Sequence, residues 1–397
     1  MRSKIIMRIV IATDSFKGSL RSITAVRTIE RGLHKVLPEV VCDCVALGDG
    51  GEGTLDALLV AHAGITHTVS VIGPQGNQLN ARLGLFDSES LAMVEMAEAS
   101  GLDKHPTGQL DPWTASSYGT GELIRAALAY PISQLVVGIG GSATNDGGAG
   151  LCQALGVRFY DAAGKLLTEP MAPNRLHLIH DIDIENIVPR VHEVMFEVMC
   201  DVDSPLLGKN GASAVFGPQK GADPSMVAQL DATLEVFYAL VERKLGTAVK
   251  DRPGAGAAGG VGAALMAFFG ASVRPGIEVM IEACQLRERT IGADLLITGE
   301  GHIDRQTLRG KAPAGVAALA RQLDVPVVAI GGGLARDIAL EMTTTFDALE
   351  ASIALAQNVE QAMAHAEQDL EAAAVRVALW LKLGARMATS SASGRLT

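Results

Sequence analysis

Short apolar runs recur along this chain, and they stop at glycines or carboxylates. Ile9-Val10-Ile11-Ala12 ends in Thr13-Asp14-Ser15-Phe16-Lys17-Gly18-Ser19. Val45-Ala46-Leu47 leads into Gly48-Asp49-Gly50-Gly51-Glu52-Gly53-Thr54. Leu135-Val136-Val137 leads into Gly138-Ile139-Gly140-Gly141-Ser142-Ala143-Thr144-Asn145-Asp146-Gly147-Gly148. Val198-Met199-Cys200 precedes Asp201-Val202-Asp203-Ser204-Pro205, and Leu295-Leu296-Ile297-Thr298 precedes Gly299-Glu300-Gly301-His302-Ile303-Asp304. Runs of this kind, bounded by turn residues, read as buried strands.

Helical patterns lie between them. Val26, Ile29, Leu33 and Val36 share one face of a helix predicted near 22–36. A strand is predicted near 40–46, a helix near 54–63, and strands near 66–72 and 81–86. Towards the C-terminus the pattern predicts a strand near 294–298 and a helix near 313–322. A strand at Val325–Ile330, a helix near 334–341, a strand near 346–353 and a long helix near 358–382 follow. Alternating strands and helices predict parallel sheets covered by helices on both faces. The middle differs, with short strands, a polar connection near 161–190 and the glycine run Gly254–Gly260. A chain of 397 residues also exceeds what one core usually supports. The expected fold is therefore α/β: a Rossmann-like parallel-sheet domain of residues 1–75 and 290–397, interrupted by an inserted second α/β domain of residues 76–289.

Charge and cysteine content narrow the function. Lys and Arg number 33 against 44 Asp and Glu, for a net charge of −11. That balance argues against a nucleic-acid-binding surface, while leaving room for a local cationic site. The five cysteines form no zinc pattern with histidine and read as reduced thiols of a cytoplasmic protein. Arg8 interrupts the N-terminal apolar run, so no signal peptide is expected, and no stretch is long and apolar enough to span a bilayer.

The strand ends carry the chemistry. In an open α/β sheet the ligand crevice lies at the carboxyl ends of the strands. Glycines let backbone N–H groups turn towards an anion, and a following helix adds partial positive charge. The loop holding Gly140, Gly141, Ser142, Asn145 and Asp146 has this form. One such loop alone would be read as a tight capped turn. Five such strand ends are hard to assign to turns. Lys17, with Asp14, Ser15 and Ser19 beside it, is placed to neutralise a phosphate or carboxylate, although a solvated surface lysine is an equal reading from position alone. Asp49, Asp201, Glu300 and Asp304 each fit a cap or a turn singly. As a set they fit Mg²⁺–nucleotide chemistry, in which a metal takes one or two carboxylates plus phosphate oxygens and another carboxylate accepts a hydroxyl proton. There is no Walker A sequence, and Gly254–Gly259 follows Arg252-Pro253 rather than a strand, which favours a close-packed helix start over a dinucleotide site. The residues thus read as a phosphoryl transferase acting on a small anion.

The motifs Asp14–Ser19, Asp49–Thr54, Gly138–Gly148, Val215–Ala222 and Thr298–Gly301 with Ile303-Asp304 and Gln306-Thr307 make the chain resemble the type-1 glycerate kinases, from about residue 7 to about 385. The resemblance implies transfer of the γ-phosphoryl group of ATP to D-glycerate with Mg²⁺, at the 2-hydroxyl. On chemistry, Lys17, Asp49, Asp201 and Asp304 are expected to be catalytic, and Asp49, Asp201 and Glu300 to hold the metal. Asp14, Ser15, Ser19, Gly140, Gly141, Ser142, Asn145, Asp146, Gly299 and Gly301 are expected to bind substrate or phosphate. Two positions depart from the resemblance: Thr13 stands in place of proline, and His302 in place of an arginine, which removes a bidentate fork. The alternatives are a kinase for another small hydroxy acid, a 3-phosphorylating glycerate kinase, or a non-catalytic nucleotide-binding regulator.

Overall fold

The structure, a computed structural model, describes residues 6–62, 64–86, 90–104, 110–305, 307–336, 342–355 and 357–393. The strands in chain order are β1 Arg8–Thr13, β2 Val41–Ala46, β3 Ile65–Ile72, β4 Gln78–Phe86, β5 Leu91–Glu95, β6 Gln134–Gly138 and β7 Arg158–Tyr160. They continue with β8 Asp181–Asp183, β9 Met195–Met199, β10 Ser272–Arg274, β11 Leu295–Ile303, β12 Val327–Leu334 and β13 Ala348–Ala351. The chain divides into two compact units. One comprises Met1–Gly48, Asp56–Ala61 and Ile277–Thr397; the other comprises Asp49–Leu55 and His62–Gly276. The α/β class expected from the strand and helix pattern is the observed one.

The first unit is built on a five-stranded sheet in the order β13-β12-β11-β1-β2, and every pair in it is parallel. From β1 the chain steps outward to β2; from β11 it steps the other way through β12 to β13. The direction reverses between β1 and β11, which opens a crevice over their carboxyl ends. Ile9, Ile11, Ile297, Val328 and Ile330 are buried in the core of this unit. The helix Ser22–His34 buries Ala25, Val26, Ile29, Gly32 and Leu33, the face its periodicity predicts. A Cβ on Gly32 would lie 2.6 Å from Ala374 Cβ, so glycine there lets the helix Ala366–Ser393 approach closely. The predicted helix near 358–382 is two helices, Val359–Ala364 and Ala366–Ser393, the first opened by an Asn358–Gln361 capping box. Most of the helix predicted near 334–341 lies outside the described residues.

The second unit carries a six-stranded sheet in the order β10-β9-β6-β5-β4-β3. β5, β6, β9 and β10 run parallel, while β3 and β4 add an antiparallel edge. β3 pairs with β4 along eight positions, Ile65 to Ile72, which ties that stretch to this sheet. Ile277, in the first unit, packs against Gly315, where a Cβ would lie 2.5 Å from Ile277 Cγ1. The polar connection near 161–190 follows β7 and contains β8, its antiparallel partner. The helix Pro224–Leu245, with its Asp223 cap, sends Leu234, Phe237 and Tyr238 into the core. Gly254–Gly260 ends in a tight turn that starts the helix Val261–Phe269, as a close-packed helix start requires.

Candidate functional site

In the first unit the predicted residues meet at the reversal point. The Asp14 N–H donates to Gly299 O at 3.1 Å, so the chain leaving β1 is held against β11. Phe16 is buried in the core, and Phe16 and Leu20 exchange backbone hydrogen bonds. That bridge closes a turn over Lys17, Gly18 and Ser19, with Gly18 at φ +79°. Lys17 stands exposed at the tip of the turn. Asp14 is buried and accepts from the Ser15 N–H at 2.6 Å, and the Ser19 hydroxyl donates to Phe16 O at 2.8 Å. These residues shape the loop that presents Lys17.

The Gly-Glu-Gly motif is not a loop after a strand ending near 298. It lies inside β11, which runs on to Ile303 beside β12, with Glu300 opposite Gly331 and His302 opposite Gly333. Glycines on both strands permit this. A Cβ on Gly299 would lie 2.3 Å from Ile330 O, and one on Gly332 would lie 2.3 Å from Gly301 O. Gly299 is thus a buried packing glycine. Gly301 borders the Lys17 turn, since its Cβ would come within 3.2 Å of Lys17 N.

Glu300 is the buried acid of this cluster. Thr307 Oγ1 donates to Glu300 Oε1 at 2.6 Å, and Lys311 Nζ lies 3.7 Å from Oε2. Burial raises its pKa; the Thr307 hydrogen bond and Lys311 pull it down, Asp304 pushes it up, and Lys17 lowers it. Asp304, Lys17 and Lys311 thus all act on one carboxylate. The Asp304 N–H donates to Thr307 Oγ1 at 2.9 Å, so Thr307 bridges the two acids. Lys311 was not among the residues singled out from the sequence. It precedes the helix Ala312–Gln322 at its N-cap, where positive charge opposes the helix dipole. That local inconsistency is a signal by which the sequence could have marked it. His302 is exposed with its ring against Gly333. The Thr13 and Thr298 hydroxyls are buried without a hydrogen-bond partner among the described residues.

In the second unit two glycine-rich loops pack on each other. The Gly140 N–H donates to Gly50 O at 3.0 Å, and a Cβ on Gly140 would lie 2.7 Å from Gly51 Cα. Asp49 Oδ1 accepts from the Gly51 N–H at 3.0 Å. Asp201 Oδ1 accepts from the Gly276 N–H at 2.6 Å, and a Cβ on Gly276 would lie 3.0 Å from the Asp49 carbonyl. Asp49 and Asp201 therefore meet across Gly276.

The 138–148 loop is open at Gly140 and Gly141 and buried beyond them. Asp146 is fully buried. It accepts from Ser117 N and Oγ, both at 2.8 Å, from Gly148 N at 3.0 Å and from Gly150 N at 3.2 Å. Burial raises its pKa, against the lowering effect of those donors. Its part is to fix the loop and satisfy the following helix start, which takes those N–H groups out of anion binding. Asn145, also fully buried, donates from Nδ2 to Ser213 Oγ at 3.0 Å. Lys220 is another residue the sequence reading did not assign. Its Nζ is buried and donates to Ser142 Oγ at 2.9 Å and Thr144 O at 2.6 Å. Burial pulls its pKa down to about 7, with the Asp146 charge opposing the shift.

Open α/β sheets bind ligands where their strand order reverses, and in this one lysines and carboxylates cluster at that point. The glycerate kinase family model matches residues 9–382, and the chain belongs to the glycerate kinase family. It is 42% identical over 382 residues to the glycerate 2-kinase of Escherichia coli (strain K12), covering 96% of this chain and 100% of that protein. It is 42% identical over 373 residues to a glycerate kinase of Halalkalibacterium halodurans, covering 94% and 97% of the two chains. A crystal structure from Salmonella typhimurium LT2, provisionally named glycerate kinase 2, is 44% identical with a TM-score of 0.82, covering 96% of this chain and 100% of that one.

Proposed function

We propose that this protein is a cytoplasmic kinase that transfers the γ-phosphoryl group of ATP to the 2-hydroxyl of D-glycerate, giving 2-phosphoglycerate, with Mg²⁺. The observation that carries the reading is the cluster of Lys17, Lys311, Glu300 and Asp304 where the strand order of the first unit reverses. Family membership supports glycerate as the acceptor. The relative named glycerate 2-kinase supports the 2-position.

Lys17 has the exposure to reach an anionic oxygen, and the Phe16–Leu20 bridge holds its turn in place. A fixed cation aimed at developing charge lowers a phosphoryl-transfer barrier. One carboxylate of the set Asp49, Asp201, Glu300 and Asp304 accepts the proton of the attacking hydroxyl. Mg²⁺, when bound, neutralises phosphate charge, and Asp49, Asp201 and Glu300 are the residues assigned to hold it. The donor chemistry fits, since these are hard carboxylate oxygens. Burial disfavours the anion of Glu300, which a cation would relieve. Among the described residues no three His, Cys, Asp or Glu side chains form a ready metal cage. A Mg²⁺ site that borrows phosphate oxygens needs none.

The test is ATP consumption against a panel of short hydroxy acids with Mg²⁺ present, with the product position read by phosphorus NMR. Turnover of D-glycerate to the 2-phosphate is expected. A 3-phosphate product, a different acid as the better acceptor, or ATP binding without turnover would each replace the proposal with a named alternative.

A further inference from the structure

Lys220 closes a short turn, Pro218–Lys220, and is 1% exposed, yet its ammonium reaches the 138–148 loop. It donates to Ser142 Oγ and to Thr144 O, at 2.9 and 2.6 Å. A serine hydroxyl has one proton to give and two lone pairs to receive with. Here a lone pair takes the lysine proton, and the serine proton has no acceptor among the described residues. Ser142 is 6% exposed and follows Gly141, which is exposed. A hydroxyl that accepts from a lysine N–H is turned and polarised to donate on its far side. The backbone behind it leaves little freedom. The Ala143 N–H donates to Ser100 O at 2.9 Å, and the Leu102 N–H donates to Gly141 O at 3.0 Å. Tyr238 Oη donates to Gly147 O at 2.8 Å.

We propose that Ser142 donates a hydrogen bond to an anionic substrate oxygen, carboxylate or phosphate, and that Lys220 is the positioning residue that orients and polarises this donor. The inference rests on the kinase reading above and adds to the expected binding role of Ser142 the atom that makes the contact and the buried lysine that orients it.

The experiment measures KM for D-glycerate and for ATP in Ser142→Ala, Ser142→Thr, Lys220→Met and the Ser142→Ala/Lys220→Met double variant, alongside thermal melts. Ser142→Ala should raise one of the two KM values about tenfold, as expected for losing a hydrogen bond to a charged group, with kcat nearly unchanged. The KM that rises identifies the substrate contacted. Lys220→Met should raise the same KM, and the double variant should be no worse than the worse single one, because both changes remove one interaction. Ser142→Thr, which keeps the hydroxyl, should stay near wild type. Unchanged KM values in Ser142→Ala, or additive effects in the double variant, would overturn the inference. If Lys220→Met does not fold, the Ser142→Ala and Ser142→Thr comparison alone decides. Wild-type protein that fails to turn over D-glycerate defeats the kinase reading and the inference with it. Normal wild-type turnover with unaffected variants defeats the inference alone.

Discussion

Lys17 and Lys220 show how differently one residue type is used. Lys17 is exposed on a turn anchored by buried Phe16, where sequence position already marked it as a candidate anion ligand. Lys17→Ala should lower kcat/KM by about two to three decades, with the melting temperature near wild type. Steady-state kinetics and a thermal melt on one preparation check both halves. Lys220 looked like one more residue of a motif until tertiary packing buried it. Its folded pKa of about 7 lies below the unfolded value near 10.5, so between those values the unfolded chain binds more protons. Stability therefore rises with pH across that window, with a slope approaching ~1.4 kcal/mol per pH unit. Below pH 7 the buried ammonium is a full cost. Lys220→Met removes the slope. Wild type should gain stability relative to Lys220→Met between pH 7 and 9, read from urea midpoints at each pH.

At the scale of elements, most strands were legible and the reason for the glycines in and after them was not. A glycine-rich loop after a strand reads as a cradle for an anion. Gly138, Gly140 and Gly299 instead lack a Cβ because backbone atoms of other segments lie within 2.3–2.7 Å of where it would sit. The segments they admit are far away in sequence, so no local window shows the demand. Gly140→Ala should cost ~1–3 kcal/mol, since its Cβ would strike the Gly51 backbone. Gly384, in the interior of the Ala366–Ser393 helix, has nothing within 4 Å of its added Cβ. Gly384→Ala should stabilise by ~0.5–1 kcal/mol on helix propensity. Opposite signs for the two changes, measured by chemical denaturation, are the expected result. The extension of β11 through Ile303 escaped the sequence pattern for a related reason. Gly299 and Gly301 read as breakers locally, while β12 supplies a partner strand with glycines at Gly331, Gly332 and Gly333.

At the scale of the molecule, each unit has its own hydrophobic core, so each holds its own polar cluster on a packed sheet. A ligand that binds only folded protein adds to stability by mass action. D-glycerate at about 100 times its Kd should raise the unfolding free energy by ~2.7 kcal/mol, and a small hydroxy acid outside the specificity should not. Differential scanning fluorimetry over a concentration series tests this, with an upward shift that grows logarithmically with ligand. An acidic chain with a net charge of −11 presents an unfavourable average field to anionic substrates. The Lys17 and Lys311 cations beside Glu300 are the local exception, which tertiary folding concentrates at one place.

The sequence alone determined the α/β class and the place of most strands, and it nominated Lys17 and its carboxylate neighbours as candidates for anion binding. These follow from short-range physics: apolar runs bury, glycine and aspartate turn the chain, and period 3.6 marks a helical face. Only the tertiary structure decided which polar residues bind outward and which bind inward. Asp146 and Asn145 share a loop with Gly141, and no spacing distinguishes them. Burial does, because a carboxylate sealed from water must take its hydrogen bonds from Ser117, Gly148 and Gly150, and an ammonium sealed beside it must give its own to Ser142 and Thr144.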